Sequence, residues 1–243
     1  MKITVTGLCV ALSIAAYGQT ITTKSYPVQP GQQLRFKFEY PVVHISTWAK
    51  KEVSITAKVN INNDENDSAF SLEEETTHGT VLIRDRIKDF DQLPRKYTVV
   101  RNGLKTVYKN KGQYIEAKKR GGIGQCYDGV DLDIHLEIKV PEGSTTDIKA
   151  VYGIVELSDF HAPLTVDAPY GGIDATINKN LTGKLQATTS YGQIYSNLDL
   201  KLTDHTERDF FNSITAEPGK GPAYEFTSTY GKIYLRKPSS NKL

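Results

Sequence analysis

The sequence is poor in cysteine, methionine and tryptophan. Among its 243 residues are two Cys, one Met and one Trp. Two cysteines, one of them in the N-terminal apolar run, cannot build the disulfide framework of a small secreted scaffold. The 30 Lys and Arg nearly balance the 28 Asp and Glu, which leaves a formal net charge of +2. No overall field therefore favours nucleic acid as a partner.

The long apolar run of the chain lies at its N terminus. A basic start, Met1-Lys2, precedes apolar residues from Val5 to Ala16, and Ala16-Tyr17-Gly18 places small residues at the two positions that a signal peptidase reads. This layout predicts a cleavable signal over residues 1–18 and export to the periplasm or cell surface of a bacterium. The run is too short to span a bilayer comfortably, and no later segment approaches that length, so we expect no transmembrane segment. The alternative is a buried first strand.

Residues that could carry chemistry are scattered. Removal of the signal takes away Cys9 and leaves Cys126, and no His-containing motif stands near it, which favours a structural or loop residue. The five histidines lack the close spacing of a zinc site. The Asn62 to Asp67 stretch lacks the glycine and the spaced glutamate of a calcium loop. We therefore expect no catalytic residue, no metal and no cofactor.

An aromatic residue followed by glycine recurs through the C-terminal half of the chain. The four clear copies are Tyr152-Gly153, Tyr170-Gly171, Tyr191-Gly192 and Tyr230-Gly231, each with Val or Ile three residues after the Tyr. Phe211-Asn212 is a degenerate copy, and with it the successive spacings are 18, 21, 20 and 19 residues. Tyr40-Pro41 is a looser copy upstream. A fixed period of this length indicates units that stack on one another.

Apolar and polar residues alternate on both sides of each aromatic residue, as in a strand with one buried face. Each unit is predicted to run strand, glycine corner, strand and turn, and glycine suits a sharp corner because it accepts positive φ. Stacking would place like residues over like and the aromatic rings over one another. The sequence therefore predicts an all-β, single-domain β-solenoid (parallel β-helix-like) over residues 19–243, with regular coils of roughly 18–21 residues at 144–240. A meander of antiparallel hairpins is the alternative.

Residues 84–126 interrupt the pattern and carry the one strong charge bias of the chain. Between residues 84 and 122, twelve Lys and Arg stand against four acids. One interpretation is a solvated insertion or an end cap. The other is a patch for anionic partners, with Lys118, Lys119 and Arg120 as candidate binding residues.

Two pairs of outward residues suggest opposite functions. Tyr195 and Tyr234 would present aromatic rings to solvent, which suits carbohydrate or protein contact, although surface packing explains them equally well. Glu156 and Asp174 share a column on adjacent units, as the acids of a polysaccharide lyase or hydrolase would. This acidic run stops at two residues, so we expect a protein that is not an enzyme.

Two N-terminal stretches and one central stretch carry a family resemblance. Residues Tyr26 to Gly31, Glu39 to Trp48 and Lys139 to Gly143, followed by the Tyr-Gly-x-Ile units, resemble the adhesins of the DUF4097 type from Bacteroidetes-like bacteria. The resemblance covers nearly all of the mature chain except the basic insertion, and it departs at Pro41, where the family usually has Gly, and at Phe211-Asn212. It implies a β-solenoid, export and an adhesin-like role, and it supplies no catalytic residues.

Together these observations predict an exported, non-enzymatic binding module that presents a solenoid surface to a glycan, an envelope component or a protein. The runner-up is a periplasmic structural or signalling accessory protein. A polysaccharide-active enzyme is the third hypothesis. Fold alone does not decide among them.

Overall fold

The computed structural model describes residues 20–77, 79–108, 110–120 and 124–239, and the backbone of 12–14. The described residues form strands with a single α-helix among them, so the predicted all-β class is confirmed. Apart from the backbone of 12–14, the predicted signal over residues 1–18 lies outside the described residues. No described helix combines the length and the apolar character needed to cross a membrane.

The secondary structure consists mainly of short strands. The first part of the chain has β1 (Leu12–Ile14), β2 (Thr20–Pro27), β3 (Gln33–Phe38), β4 (Val42–Trp48), β5 (Glu52–Ile61), β6 (Phe70–Thr76) and β7 (Thr80–Ile87). The middle has β8 (Lys96–Arg101), β9 (Leu104–Tyr108), α1 (Lys111–Lys119), β10 (Gln125–Gly129), β11 (Leu132–Pro141) and β12 (Thr146–Ala150). The remainder has β13 (Val155–Leu157), β14 (Leu164–Asp167), β15 (Ile173–Thr176), β16 (Lys184–Thr189), β17 (Ile194–Ser196), β18 (Leu202–Arg208), β19 (Phe211–Ala216), β20 (Ala223–Ser228) and β21 (Ile233–Arg236).

Two nine-stranded sheets share one hydrophobic core. The first sheet has the order β1-β2-β5-β11-β4-β13-β15-β21-β17, and the second has the order β18-β19-β16-β20-β14-β12-β3-β7-β6. Side chains alternate between buried and exposed along the strands, and the buried apolar residues of both sheets form a single cluster. Each sheet therefore buries one face against the other and leaves one face to solvent.

Strands within the repeats pair in parallel. The run β11-β4-β13-β15-β21-β17 is parallel in the first sheet, and β7-β3-β12-β14-β20-β16 is parallel in the second. Val155, Ile173, Ile233 and Ile194 follow one another in register, as the repeat predicts. A meander of antiparallel hairpins does not describe these strands; antiparallel pairs close the ends of the two sheets.

The spatial order of the repeats differs from their order in the chain. Strand β20 lies between β14 and β16, and β21 lies between β15 and β17. The repeat at Tyr230 is therefore inserted between the repeats at Tyr170 and Tyr191. In the outward column, Asp174 pairs with Tyr234 and Tyr234 pairs with Tyr195, so the two tyrosines are direct neighbours.

The degenerate copy at Phe211-Asn212 is not a corner of the stack. Phe211 begins β19, which runs antiparallel to β16 and places Ile214 opposite Ala187 in the second sheet. Phe210, with φ of 64°, makes the reversal between β18 and β19. This unit has no glycine that would let its backbone approach the adjacent repeat. The chain folds back here as an antiparallel hairpin instead.

The corner glycines are required by close packing and not by their φ angles. None of the four corner glycines has a positive φ angle: Gly153, Gly171, Gly192 and Gly231. A Cβ added to Gly171 would lie 1.8 Å from the carbonyl oxygen of Gly153, and one added to Gly231 would lie 1.4 Å from that of Gly171. The expectation of positive φ at these corners is therefore wrong, because each glycine makes room for the backbone of the adjacent repeat.

Beyond Ile87, where β7 ends, the basic insertion folds into a unit of its own. Strands β10, β8 and β9 form a three-stranded antiparallel sheet that α1 packs against. Ion pairs connect this unit to the large sheets: Lys96 Nζ lies 2.5 Å from Glu65 Oε2, and Lys105 Nζ lies 2.5 Å from Asp131 Oδ1. Lys96 and Asp131 are both buried, so these charges hold the insertion in place.

Candidate functional site

Five corner tyrosines and one phenylalanine at each end form a continuous row of seven aromatic rings, the aromatic ladder. In spatial order its members are Phe90, Tyr40, Tyr152, Tyr170, Tyr230, Tyr191 and Phe210. Neighbouring ring centroids lie 5.1–5.5 Å apart. The interplanar angle is 10–21° except at Phe210, where it is 41°. We call the Phe90 end proximal and the Phe210 end distal.

Backbone hydrogen bonds between repeats hold the rings in register. The backbone N–H groups of Tyr170, Tyr230 and Tyr191 donate to carbonyl oxygens of the preceding rung's segment, at 3.0, 2.9 and 2.6 Å. The adjacent glycines permit this approach because they present no side chain to the neighbouring backbone. Each of these three rings thus lies in a bend between two strands and is held there by a hydrogen bond to the neighbouring repeat.

The central tyrosines of the ladder expose about half of their surface. Tyr152, Tyr170, Tyr230 and Tyr191 are 55%, 56%, 52% and 59% exposed. Their faces cover one another, so ring edges and hydroxyls face the solvent. In the described part of the chain, none of these four phenol oxygens has a protein hydrogen-bond partner. The stack contributes stability through offset aromatic contacts, and it leaves a row of unused donors and acceptors on the surface.

The surroundings of the central rungs are almost uncharged. The residues on one side are Val151, Pro169, Thr229 and Ser190, and those two positions after each Tyr are Ile154, Gly172, Lys232 and Gln193. Lys232 is the one charged residue in this set. The ladder is therefore a neutral polar surface that becomes charged toward its ends.

The distal end opens into a depression, which we call the distal depression. Its volume is about 440 Å³, and Tyr191, Gln193, Arg208, Phe210 and Lys232 are among the residues that line it. Phe210 is 72% exposed and stacks on Tyr191. Aromatic rings beside amide, guanidinium and ammonium groups can hold a polar ligand by stacking and hydrogen bonding.

Tyr195 and Tyr234 lie beside the distal depression on the outer face of the first sheet. Their rings stack with centroids 5.1 Å apart. The Tyr195 hydroxyl donates to Gln193, and Lys232 Nζ lies 5.9 Å from the Tyr195 ring centre. The two predicted binding tyrosines are therefore connected to the depression through Gln193 and Lys232. They also pack on each other, as the alternative interpretation has it.

The two acids of the enzymatic alternative stand side by side, but each has a basic partner. Asp174 accepts two hydrogen bonds from Arg236, at 2.6 and 2.8 Å, and this pairing raises the pKa of the Arg236 guanidinium. Glu156 lies 3.7 Å from His44 Nδ1. Among the described residues no group of three or more His, Cys, Asp and Glu is arranged to hold a metal ion.

The predicted basic patch is separate from the aromatic residues. Lys118 and Lys119 form the exposed last turn of α1, and Arg120 follows it. Cations suit this position because the C-terminal end of a helix carries partial negative charge. The described contacts join none of the three to Tyr195 or Tyr234. Cys126 is a free, half-buried cysteine in β10.

Two members of the ladder escaped the sequence analysis. Phe90 lies in the insertion and Phe210 in a hairpin turn, and neither has the glycine that follows the repeat tyrosines. Tyr40 carried a signal as a looser copy of the repeat. The sequence alone does not distinguish Phe90 and Phe210 from the other aromatic residues of the chain.

The proximal end contains a carboxyl group with a perturbed pKa. Asp85 lies beside Glu39, Tyr40 and Phe90, and it accepts a hydrogen bond from the Glu39 backbone N–H at 3.1 Å. Burial raises the pKa of Asp85 to about 6. The folded protein thus favours the protonated form, so the free energy of unfolding falls as pH rises from about 4 through about 6.

We expect Asp85→Asn to stabilise the protein near pH 7.5 by on the order of 1–2 kcal/mol, after allowance for solvent screening. Asn keeps the acceptor oxygen and removes the buried charge. The gain should vanish near pH 4, where Asp85 is protonated in the folded protein. Urea unfolding of both forms at several pH values measures this difference. A gain in stability that does not change with pH would contradict a raised pKa at Asp85.

Comparisons with known proteins give the fold and no family assignment. No family model matches the chain, and no curated protein matches it. A protein of Clostridium sporogenes provisionally described as a cell adhesion protein is similar in structure, with a TM-score of 0.50 and 9% identity over 90% of this chain and 100% of that one. Provisionally described adhesins of Bacteroides fragilis and Parabacteroides distasonis match at 10% and 9% identity over 90% of this chain and 97% of theirs, with TM-scores of 0.23 and 0.26. The chain therefore shares its all-β fold with the Clostridium protein.

Proposed function

We propose that this protein is an exported, non-enzymatic, adhesin-like binding module whose aromatic ladder engages a glycan. The observation that carries the proposal is the row of half-exposed tyrosines with free hydroxyls. Tyrosine supplies a rigid contact surface together with a group that both donates and accepts, and these are the properties a sugar-binding surface needs. The fold shared with a provisionally described cell adhesion protein supports the same class of function.

The β-solenoid is part of this proposal. Parallel pairing in both sheets and the stacked column of Val and Ile support it. The rings along one corner follow the same like-over-like arrangement. A solenoid suits adhesion because it presents a long regular surface on a rigid support.

A binding role is favoured over catalysis by the state of the acids on the outer face. A glycoside hydrolase needs one carboxyl group free to deliver a proton and a second free to act as base or nucleophile. Arg236 occupies both oxygens of Asp174, and Glu156 faces His44. Export is supported by the N-terminal sequence pattern, with a location in the periplasm or on the cell surface.

The test replaces hydroxyls without disturbing the stack. Tyr170→Phe and Tyr230→Phe, combined, keep both rings and remove two central hydroxyls. On an array of neutral and acidic polysaccharides, we expect the affinity of the double variant to fall by about tenfold or more for the glycan that the unmodified protein binds, since each hydrogen bond contributes about 0.5–1.5 kcal/mol.

Tyr224→Phe is the matched control. The Tyr224 hydroxyl is buried and donates to the carbonyl oxygen of Phe160 at 2.6 Å. Its loss should lower stability by about 1 kcal/mol and leave glycan affinity unchanged. Absence of binding to every glycan on the array, or equal binding by the double variant, would contradict the proposal.

A further inference from the structure

We propose that the ligand of the ladder is an extended, uncharged β-1,4-linked polysaccharide that lies along the stack with one sugar on each rung. This inference rests on the proposed function and names its substrate class. Three features of the ladder support it: the spacing of the rungs, the chemistry of the phenol groups and the distribution of charge.

The spacing of the ladder selects for a straight chain. Consecutive rings lie 5.1–5.5 Å apart, and the axis of the ladder runs across the strands of both sheets. A β-1,4-linked pyranose chain is a flat ribbon that advances by nearly this distance for each sugar. An α-1,4-linked chain coils and a β-1,3-linked chain winds into a wide helix, so both leave the line of the rungs after a few sugars.

The phenol groups suit the alternating faces of such a ribbon. Successive β-1,4-linked sugars are turned over relative to one another, so a given edge presents different oxygens at alternate positions. A hydroxyl that both donates and accepts can follow this alternation, whereas an ammonium or a carboxylate cannot. The four central rungs, Tyr152, Tyr170, Tyr230 and Tyr191, all carry such a hydroxyl.

Charge around the ladder favours an uncharged chain. Among the residues just before and two positions after the four central tyrosines, Lys232 alone is charged. Glu207 and Arg208 come near only the distal end, so an anionic polymer would meet no row of cations along the ladder. At the proximal end Glu39 and Asp85 lie beside Tyr40, and they would repel an anion. The Tyr ladder therefore fits a neutral or N-acetylated glycan better than an acidic one.

The experiment is a calorimetric titration with oligosaccharides of defined linkage. Cello-oligosaccharides and chito-oligosaccharides from disaccharide to hexasaccharide are compared with maltohexaose and laminarihexaose. We expect affinity for one of the β-1,4 series to rise with each added sugar up to about the number of central rungs. The hexasaccharide should bind about tenfold or more tighter than maltohexaose or laminarihexaose. Binding should change little between low and high salt, because no charge on the ligand is neutralised.

The variants separate this inference from the proposed function. Tyr170→Phe with Tyr230→Phe should reduce affinity for the β-1,4 hexasaccharide by about tenfold or more and flatten its dependence on length. Equal or tighter binding of maltohexaose or laminarihexaose, again dependent on the two hydroxyls, would overturn the β-1,4 assignment and leave the glycan-binding function standing. Binding of none of these sugars, together with hydroxyl-dependent binding of an acidic polysaccharide, would do the same. Failure of every glycan would overturn both this inference and the proposed glycan-binding function.

Discussion

A chain that ends at residue 217 will not form the native structure, although it retains most of the repeats. The missing strands, β20 and β21, lie in the interior of the two sheets. They bury Tyr224, Phe226, Ile233 and Leu235. Burial of each such side chain is worth about 1.5–3 kcal/mol, so the loss of about 6–12 kcal/mol equals the whole stability of an ordinary domain.

The measurement is urea unfolding followed by circular dichroism, with a chain that ends at Pro238 as the control. The control keeps every strand and should unfold cooperatively, with a midpoint close to that of the unmodified protein. The shorter chain should show no cooperative transition. If it unfolds cooperatively with most of its ellipticity intact, the last repeat lies at an end of the stack and the strand order described above is wrong.

Gly231→Ala should destabilise the protein by about 4 kcal/mol or more, above the usual cost of overpacking of about 1–3 kcal/mol, because this site cannot relax. The added Cβ would lie 1.4 Å from the carbonyl oxygen of Gly171 and 2.7 Å from the hydroxyl of Ser228. The main obstacle is the backbone of the neighbouring repeat at Gly171, and the repeat at Tyr230 cannot shift away from it because it is sandwiched between two others. Relief would require the separation of two paired strands in each sheet.

Two other glycines distinguish the steric clash at Gly231 from the backbone strain and from the general effect of a Gly→Ala substitution. At Gly129 an added Cβ meets nothing within 4 Å, so Gly129→Ala should change stability by less than about 0.5 kcal/mol. Gly143 has φ of 76° and equally open surroundings, so Gly143→Ala should cost about 1 kcal/mol from backbone strain alone. Chemical denaturation of the three variants should rank Gly231 far above Gly143. A loss at Gly231 no larger than that at Gly143 would show that the repeats can move apart.

The periodic features of the fold were accessible from the sequence. Alternation at period two predicts strands with one buried face, and a fixed spacing of Tyr-Gly predicts stacked rings, because both depend on local pattern. The order of the stack was not accessible. Ile173 and Ile194 both pair with Ile233 in the same parallel register, so the column pattern is identical whichever repeat stands in the middle.

The candidate site was predicted only in part, because its contacts depend on the spatial order of the repeats. Tyr195 and Tyr234 share a column in any stacking order, but their direct contact depends on the insertion of the last repeat. Phe210 joins the ladder through the hairpin between β18 and β19. The sequence does not reveal this hairpin, because Phe211-Asn212 resembles a copy of the repeat. The basic residues Lys118 and Lys119 were noted for their charge, and charge alone does not reveal which surface a side chain occupies.

The position of the last repeat also governs when this protein can become compact. A repeat protein that stacks in chain order can close one unit after another as it leaves the ribosome. Here the segment from Ala223 to Arg236 joins the repeat at Tyr191 to the rest of both sheets, so that repeat has no parallel partner until the segment has been synthesised. Stacking that starts at the N terminus can therefore reach only the repeat at Tyr170, and the core is completed at the end of synthesis.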